Sequence, residues 1–251
     1  MSLRIAPFIF SWKGQFEKAC RTEDQLRELF DRVTVINSDE DNTRPGWIDV
    51  GDDLFFTGQF LRAVDHFDAD VLFHIQADAH YDDWPAVFDR ARESFERVQW
   101  GVFAPNVDFT GWVSPGVDIA SQFFPADSNL RLVSCTDCTC WMIHRDVIEQ
   151  FRKHRDLFSQ NRYGWGIDLT IAALSYLNER PVVRDYAHTV IHPRGRGYDN
   201  DAARKEYDTF LDSVRADVRK VLEFQLTDRQ RLVEMVRIPV HSEGCRPTPR
   251  E

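Results

Sequence analysis

Long apolar runs are absent from this sequence: no stretch approaches the ~20 residues that a membrane-spanning helix needs. Basic residues are also few, since 31 Lys and Arg face 41 Asp and Glu and the formal net charge is -10. A phosphate backbone is bound by a basic face, and no long Lys or Arg run supplies one. The composition therefore argues against a nucleic-acid partner.

Cysteine is scarce too. The five cysteines are an odd number, and three of them occupy CTDCTC at 135–140, which is not the pattern of an oxidised secretory framework. With His144 nearby, structural zinc is an alternative, but buried core positions are the favoured interpretation. The N-terminal MSLRIAPFIFSW lacks the apolar segment and the cleavage site of a signal peptide. We therefore expect it to form a first strand, in a cytoplasmic protein.

What the 251 residues do contain is an alternation of short apolar strands with helical patterns. The predicted strands are 5–10, 33–36, 71–75, 100–104, 138–143 and 181–191. Helical periodicity covers 22–30, 56–64, 85–95, 147–151, 168–177 and 203–222. The first of these helices would start at a capping box in TEDQ, 22–25, and 105–130 resembles a loop. This alternation predicts an α/β fold, with a mostly parallel sheet flanked by helices.

Three divisions of the chain are predicted. Residues 1–200 would form one catalytic domain, 201–240 a helical extension packed on it, and 241–251 a disordered tail. The segment RKVLEFQLTDRQRLVEMVRIPV, 219–240, has a helical pattern with interleaved arginines. A helix packed on the domain is the favoured interpretation, and peripheral contact with an anionic membrane is the alternative.

Polar clusters follow three of the predicted strands: Asn37-Ser38-Asp39, 76–80, and the segment around His192. In parallel sheets, ligands bind at the carboxyl ends of strands. These clusters therefore predict one binding site at one edge of the sheet.

The second cluster, QADAH, places Gln76, Asp78 and His80 on one side if the chain stays extended. Carboxylate oxygen together with imidazole nitrogen suits Mn²⁺ or Mg²⁺ beside substrate phosphates. A polar strand end is the alternative, with Asp82 and Asp83 capping the next helix. For Asp78 we favour a ligand-binding role, for Asp82 and Asp83 the capping role, and for His80 both remain open.

Two glycine-containing segments add candidates. In GWGID, 164–168, the glycines permit close backbone approach, Trp165 offers a flat platform for a sugar or base, and Asp168 lies at a helix start where a carboxylate can accept a proton. In HPRGRG, 192–197, Arg194 and Arg196 have the forked donors that fit a diphosphate. An ordinary helix cap and a solvated basic loop are the respective alternatives.

In their order along the chain, these motifs resemble the GT-A-fold glycosyltransferases. The nearest group is the large inverting family that contains many bacterial polysaccharide and glycolipid synthases. The resemblance covers about residues 3–195 and includes FHIQADAHYDDW at 73–84 and the late GWGID. The family's metal-binding Asp-x-Asp corresponds to Gln76-Ala77-Asp78, so Gln replaces the first Asp. The family's base, in a Glu-Asp pair before a helix, corresponds to Asp168, preceded here by Ile167.

This resemblance implies a hexosyltransferase with a GT-A (Rossmann-like) fold, a nucleotide-sugar donor, a saccharide or lipid-linked acceptor and Mn²⁺ or Mg²⁺. Asp168 would be the base of an inverting reaction, and Asp78, His80 and His192 would contact the metal. The nucleotide-sugar would meet Ser11, Trp12, Asn37, Asp39, Gln76, Asp78, Trp165, Arg194 and Arg196.

Two other functions compete with this one. A nucleotidyltransferase usually has a Gly-rich basic loop after its first strand, and SWKGQ, 11–15, has a single Gly. A degenerate binding protein that kept the fold, lost the metal site and has no turnover is favoured by Gln76, but the presence of Asp78, Asp168 and His192 argues against it.

Overall fold

Nine strands in the part of the chain that is described form one sheet of order β3-β2-β1-β4-β8-β5-β9-β7-β6. The computed structural model describes residues 3–51, 54–114, 116–120, 127–193 and 198–236. The strands are β1 Ile5–Trp12, β2 Thr34–Ser38, β3 Ile48–Asp49, β4 Val71–Gln76, β5 Val102–Val107, β6 Asp118–Ala120, β7 Leu130–Val133, β8 Cys140–His144 and β9 Val182–Val190.

Half of this sheet is parallel. Strands β3, β2, β1 and β4 run the same way, and β9 runs parallel to β5. The exception at the centre is β8, which is antiparallel to both β4 and β5. Strand β7 is antiparallel to β9 and β6. The predicted α/β architecture with a mostly parallel core is confirmed.

Helices cover both faces of the sheet. They are α1 Phe16–Arg27, α2 Phe56–His66, α3 Trp84–Val98, α4 Arg145–Arg152, a 3₁₀ helix Arg155–Gln160, α5 Ile167–Leu177, α6 Asn200–Ser213, α7 Ala216–Thr227 and α8 Gln230–Met235. Strand side chains alternate between two apolar clusters, so that Ile9 packs with the helices α1 and α3 while Phe8 and Phe10 pack with α2, α4 and α5. Because both faces of the central strands are buried, their sequences are continuous apolar runs.

Two helix predictions were wrong in their boundaries. Helix α1 begins at Phe16, so the proposed capping box lies inside it, and Glu23 of that box is buried because it accepts a hydrogen bond from Trp47 Nε1 at 2.9 Å. The single helix expected at 203–222 is broken at Val214, whose backbone is extended. The apolar period continues across the break because Val214 and Val218 are both buried.

Other predictions near the site had mixed outcomes. Asp83 caps α3, accepting from Ala86 N at 3.2 Å, as predicted, whereas Asp82 pairs with His80. The segment 105–130 is not a loop throughout, because β5 continues to Val107 and β6 forms at Asp118–Ala120. The tail 241–251 lies outside the described residues.

Candidate functional site

The carboxyl ends of three parallel strands meet at one edge of the sheet. Ser11 at the end of β1 is in register with Asn37 of β2, and Phe10 is in register with Gln76 of β4. Around the end of β4, Ala77 and Ala79 are buried, whereas Gln76, Asp78 and His80 are partly exposed. The chain does not stay extended as the prediction required, because Ala79 N donates to Gln76 O at 3.0 Å in a turn, but burial still alternates and leaves the three polar side chains partly exposed.

Asp78 and His192 are brought together by the chain that follows β9. The backbone of His80 exchanges two hydrogen bonds with Ile191, of 2.8 and 2.9 Å, which places His192 beside Asp78. His192 Nε2 lies 3.6 Å from Asp78 Oδ1, and both side chains are 15% exposed. Burial raises the pKa of Asp78, and the nearby charges of His192 and Lys18 oppose that rise. Asp78 Oδ1 and His192 Nδ1 are buried without a hydrogen-bond partner.

This pair fits a divalent cation. Mg²⁺ and similar ions are commonly held by one or two protein ligands, with water and substrate phosphates completing the shell, and unpaired buried carboxylate and imidazole atoms are suitable donors. Within the described ranges no group of three or more His, Cys, Asp or Glu side chains gathers at one point. His80 instead turns to Asp82, with Nε2 3.0 Å from Oδ1, and is 44% exposed.

The residues predicted to contact the nucleotide at the ends of β1 and β2 fall into two groups. Asn37 and Asp39 are buried and form hydrogen bonds within the 39–49 loop: Asn37 Nδ2 donates to Asp49 Oδ1 at 2.9 Å, and Asp39 Oδ1 accepts from Asp41 N at 3.1 Å. The hydroxyl of Ser11 is buried without a partner, and Trp12 is half-buried. Asn37 and Asp39 thus shape the loop that would border a nucleotide.

The GWG turn depends on both of its glycines. Gly164 and Gly166 have φ of +83° and +91°, and a Cβ at Gly164 would lie 2.5 Å from a ring carbon of Phe56. Trp165, between them, is half-buried, and its Nε1 donates to Tyr198 Oη at 2.8 Å. This turn delivers Asp168 to the first turn of α5.

Asp168 is held by two donors. Trp112 Nε1 donates to Oδ2 at 2.7 Å, and the backbone N–H of Leu169 donates to Oδ1 at 2.8 Å. Burial raises the pKa of Asp168 from 3.8 to about 6, and the charge of Asp137 acts in the same direction, while the two donors oppose it. A carboxylate with this pKa is ionised at neutral pH and more basic than an exposed aspartate, which suits a general base.

One loop contacts both halves of the site. Asp108 Oδ1 accepts from the backbone N–H of His192 at 2.7 Å, and Trp112 of the same loop contacts Asp168. Between them, Thr110 Oγ1 donates to Asp137 Oδ2 at 2.6 Å. The loop 108–112 therefore contacts both the chain at His192 and the carboxylate of Asp168.

Sequence reasoning missed Asp108, Trp112 and Asp137. For Asp108 and Trp112 the one available signal was the loop-like composition of 105–130, and Asp137 lies in CTDCTC, which was considered only for its cysteines. The predicted phosphate contacts Arg194 and Arg196 lie outside the described residues.

Two of the three cysteines of CTDCTC lie in the core. Cys135 and Cys140 are buried, as favoured, and burial raises the pKa of Cys135 to about 12 and that of Cys138 well above its ordinary value.

Comparison with solved structures gives three informative neighbours. GalNAc-T7, solved with UDP, GalNAc and Mn²⁺, superposes with a TM-score of 0.59 at 9% identity, covering 93% of this chain and 54% of its own. The mannosyltransferase PcManGT from Pyrobaculum calidifontis, solved with GDP-Man and Mn²⁺, gives 0.51 at 10% identity over 94% and 73%. Residues 1–349 of S. aureus TarS, solved with UDP-GlcNAc, give 0.51 at 10% identity over 88% and 70%.

These neighbours establish the fold class. The chain has the GT-A fold, which confirms the resemblance drawn from its motifs at the level of architecture. It spans about half the length of GalNAc-T7. No family model matches the sequence, and no curated protein sequence matches it either.

Proposed function

We propose that this chain is a glycosyltransferase that moves a hexosyl group from a nucleotide-sugar to an acceptor hydroxyl with inversion. The observation that carries this proposal is the loop 108–112, which contacts both parts of the candidate site. In a GT-A fold, one loop joins an Asp–His pair suited to a divalent ion with a carboxylate suited to proton abstraction. The three structural neighbours, which were solved with UDP or GDP-linked ligands, support a nucleotide-sugar donor.

At the donor end, Asp78 and His192 would hold Mn²⁺ or Mg²⁺. The ion would supply charge neutralisation for the diphosphate leaving group. Lys18, close enough to oppose the raised pKa of Asp78, adds positive charge there. Gln76 contributes an amide where the related family has a carboxylate. Among the remaining candidates, Ser11, Trp12, Asn37 and Asp39 would border the nucleotide, while Trp165 would stack on a sugar, and Arg194 and Arg196 would contact phosphate.

At the acceptor end, Asp168 would accept the proton of the attacking hydroxyl. The new bond forms between that oxygen and the anomeric carbon, on the face opposite the leaving group. The bond from the anomeric carbon to the diphosphate oxygen breaks, and the electron pair leaves with the nucleoside diphosphate. The ionised form of Asp168 dominates above about pH 6, so the base is ready at neutral pH.

A transfer assay tests this proposal. Purified protein is incubated with a panel of UDP-, GDP-, CDP- and dTDP-sugars, Mn²⁺ or Mg²⁺, and mixed saccharide and lipid-linked acceptors, and nucleoside diphosphate release is followed. Asp168→Asn is expected to bind the nucleotide-sugar but to release no nucleoside diphosphate. Asp89→Asn, on the exposed face of α3, is the matched control and is expected to behave like the wild type. An active Asp168→Asn protein would remove Asp168 from the role of base.

A degenerate nucleotide- or sugar-binding protein is the second candidate, and Gln76 is the observation that favours it. Such a protein would bind a nucleotide-sugar as tightly as an enzyme does and release no nucleoside diphosphate under any of these conditions. Restoring the carboxylate with Gln76→Asp would then be expected to strengthen metal-dependent binding without producing turnover.

The acceptor, the role in polysaccharide biosynthesis and the cytoplasmic location belong to this proposal. In the described residues no helix is both long and apolar enough to cross a membrane. Helix α7 buries Val218, Val221 and Leu222, and Gln225 Nε2 donates to Leu169 O of α5 at 3.2 Å. The apolar side of α7 is therefore occupied by the domain, so we place any peripheral membrane contact on its exposed basic side chains.

A further inference from the structure

We propose that Trp112 is a positioning residue for the carboxylate of Asp168, and that the buried Arg184 holds Trp112 in place. This inference rests on the proposed function, because it matters for catalysis only if Asp168 is the base. Its physical basis is independent of that function and can be measured without turnover.

Hydrogen bonds to both the backbone N–H and the backbone carbonyl of Trp112 hold this residue in place. The backbone N–H of Trp112 donates to Thr110 Oγ1 at 3.1 Å, and its backbone carbonyl accepts a hydrogen bond from Arg184 Nη1. The neighbouring Val113 is 60% exposed, whereas Trp112 turns inward and is half-buried. The loop thus exposes one apolar neighbour to solvent while the aromatic ring lies beside Asp168.

Arg184 is an unusual residue to find in this position. It is 1% exposed, no ion pair of it is found in the described part of the chain, and its Nε is buried without a partner. Its remaining contacts are Asn106 Oδ1, at 2.9 Å from Nη2, and the ring of Tyr186. Burying a guanidinium without a carboxylate is costly. We therefore infer that Arg184 has a role beyond packing, which is to hold the Trp112 carbonyl.

The two donors to Asp168 together fix the orientation of its carboxylate. Leu169 N belongs to the same helix and holds Oδ1, whereas Trp112 Nε1 reaches from a separate loop and holds Oδ2. With both oxygens tied, rotation of the carboxylate would break one hydrogen bond. The lone pairs left over keep a constant direction, which is the requirement for proton transfer from a bound hydroxyl.

The hydrogen bond from Trp112 Nε1 also lowers the pKa of Asp168. Hydrogen bonds to the ionised form lower a carboxyl pKa, and the surroundings of Asp168 otherwise raise it. The titratable groups that interact with it are Asp137, Cys135, Cys138 and Tyr207. Each of these disfavours the charged carboxylate when it is itself ionised.

The test replaces Trp112 by Phe and follows the Asp168 carboxyl carbon by ¹³C NMR across pH, with Asp168→Asn to assign the signal. Loss of the indole donor is expected to raise the pKa of Asp168 by about one. With turnover, kcat would fall at every pH because the carboxylate loses its fixed orientation, and by about a further fivefold near pH 6 because less of Asp168 is ionised there, while KM stays close to that of the wild type. Val113→Ala, in the same loop, is the matched control and should change none of these values.

A second replacement guards against a disturbed loop. Incorporating benzothienylalanine at position 112 exchanges only the indole N–H for sulfur, and it should reproduce the shift seen with Trp112→Phe. The role of Arg184 is read from the indole N–H resonance of Trp112, which should move in Arg184→Lys. An unchanged Asp168 pKa in both Trp112 variants would overturn the positioning role, and an unmoved indole resonance would overturn that of Arg184. A shifted pKa in a protein that transfers no sugar would instead count against the proposed function alone.

Discussion

His192 Nε2 lies 3.6 Å from Asp78 Oδ1, although the two residues are far apart along the chain. The antiparallel bridge between His80 and Ile191 produces this proximity, since it ties the chain after β9 to the chain after β4. Neither side chain has its buried atoms satisfied, because Asp78 Oδ1 and His192 Nδ1 have no hydrogen-bond partner. A cation bound by Asp78 Oδ1 and His192 Nε2 would pair the buried carboxylate oxygen.

Mn²⁺ binding should therefore depend on this pair. We expect Asp78→Asn and His192→Ala each to weaken Mn²⁺ affinity by about tenfold or more, since each removes one of two protein ligands. Electron paramagnetic resonance of free Mn²⁺ measures this directly. The backbone N–H of His192, which bonds to Asp108, is untouched by either change. His80→Ala is the control: it should retain Mn²⁺ affinity if His80 serves only Asp82, and a loss equal to that of Asp78→Asn would restore His80 as a ligand.

The raised pKa of Asp168 predicts a pH-dependent stability. Its pKa is about 6 in the folded protein and 3.8 when exposed, so between these values the native state binds more protons than the unfolded state. The free energy of unfolding then falls as pH rises through this window. Asp168→Asn has no such proton uptake. The difference in free energy of unfolding between Asp168→Asn and the wild type should therefore shift in favour of the variant by about 1–3 kcal/mol from about pH 4 to about pH 7. Urea unfolding at several pH values measures the difference, and a pH-independent difference would contradict it.

His74 predicts the opposite behaviour in acid. It is fully buried beside Phe10, and burial lowers its pKa to about 3. The unfolded chain takes up a proton below its ordinary pKa of 6.5, so stability is lost as pH falls below that value. Proton uptake by His74 in the unfolded chain lowers the free energy of unfolding by about 2 kcal/mol near pH 5. His74→Leu should remove that part of the acid sensitivity in thermal unfolding, whereas His66→Leu, at the end of α2, should not.

The GWG turn should not tolerate a side chain. At Gly166 the φ of +91° disfavours any L-residue by about 1–2 kcal/mol, and an added Cβ would lie 2.9 Å from Tyr207 Cε2. We expect Gly166→Ala to lower the melting temperature and to reduce kcat by displacing Asp168. Gly111→Ala is the control, because nothing lies within 4 Å of a Cβ there. Equal melting temperatures of the two variants would show that the turn can adjust.

The apolar periods of the sequence were enough to predict most of the fold. Strands such as Val71–Gln76 are buried on both faces, so their residue types alone identify them. Helix boundaries were less predictable. The start of α1 at Phe16 has no side-chain cap, and the break at Val214 leaves the apolar period intact.

The site was only partly predictable for a different reason. Asp78, His192 and Asp168 stand in short motifs at strand and helix ends, and position along the fold made them candidates. Trp112 and Asp108 act through contacts across a long loop: Trp112 touches a residue 56 positions away. Such a partner is chosen by the tertiary fold, and nothing in the local pattern around Trp112 signals it.

Calorimetric titration of UDP, GDP, CDP and dTDP into the wild-type protein and Asp78→Asn, with Mn²⁺ or with chelator, tests the central claim most directly. We expect one nucleoside diphosphate to bind the wild type in the presence of Mn²⁺, and chelation or Asp78→Asn to remove most of this affinity. If no nucleotide binds, or if binding is the same with chelator and in Asp78→Asn, the residues around Asp78 and His192 are not a metal-assisted nucleotide-sugar site.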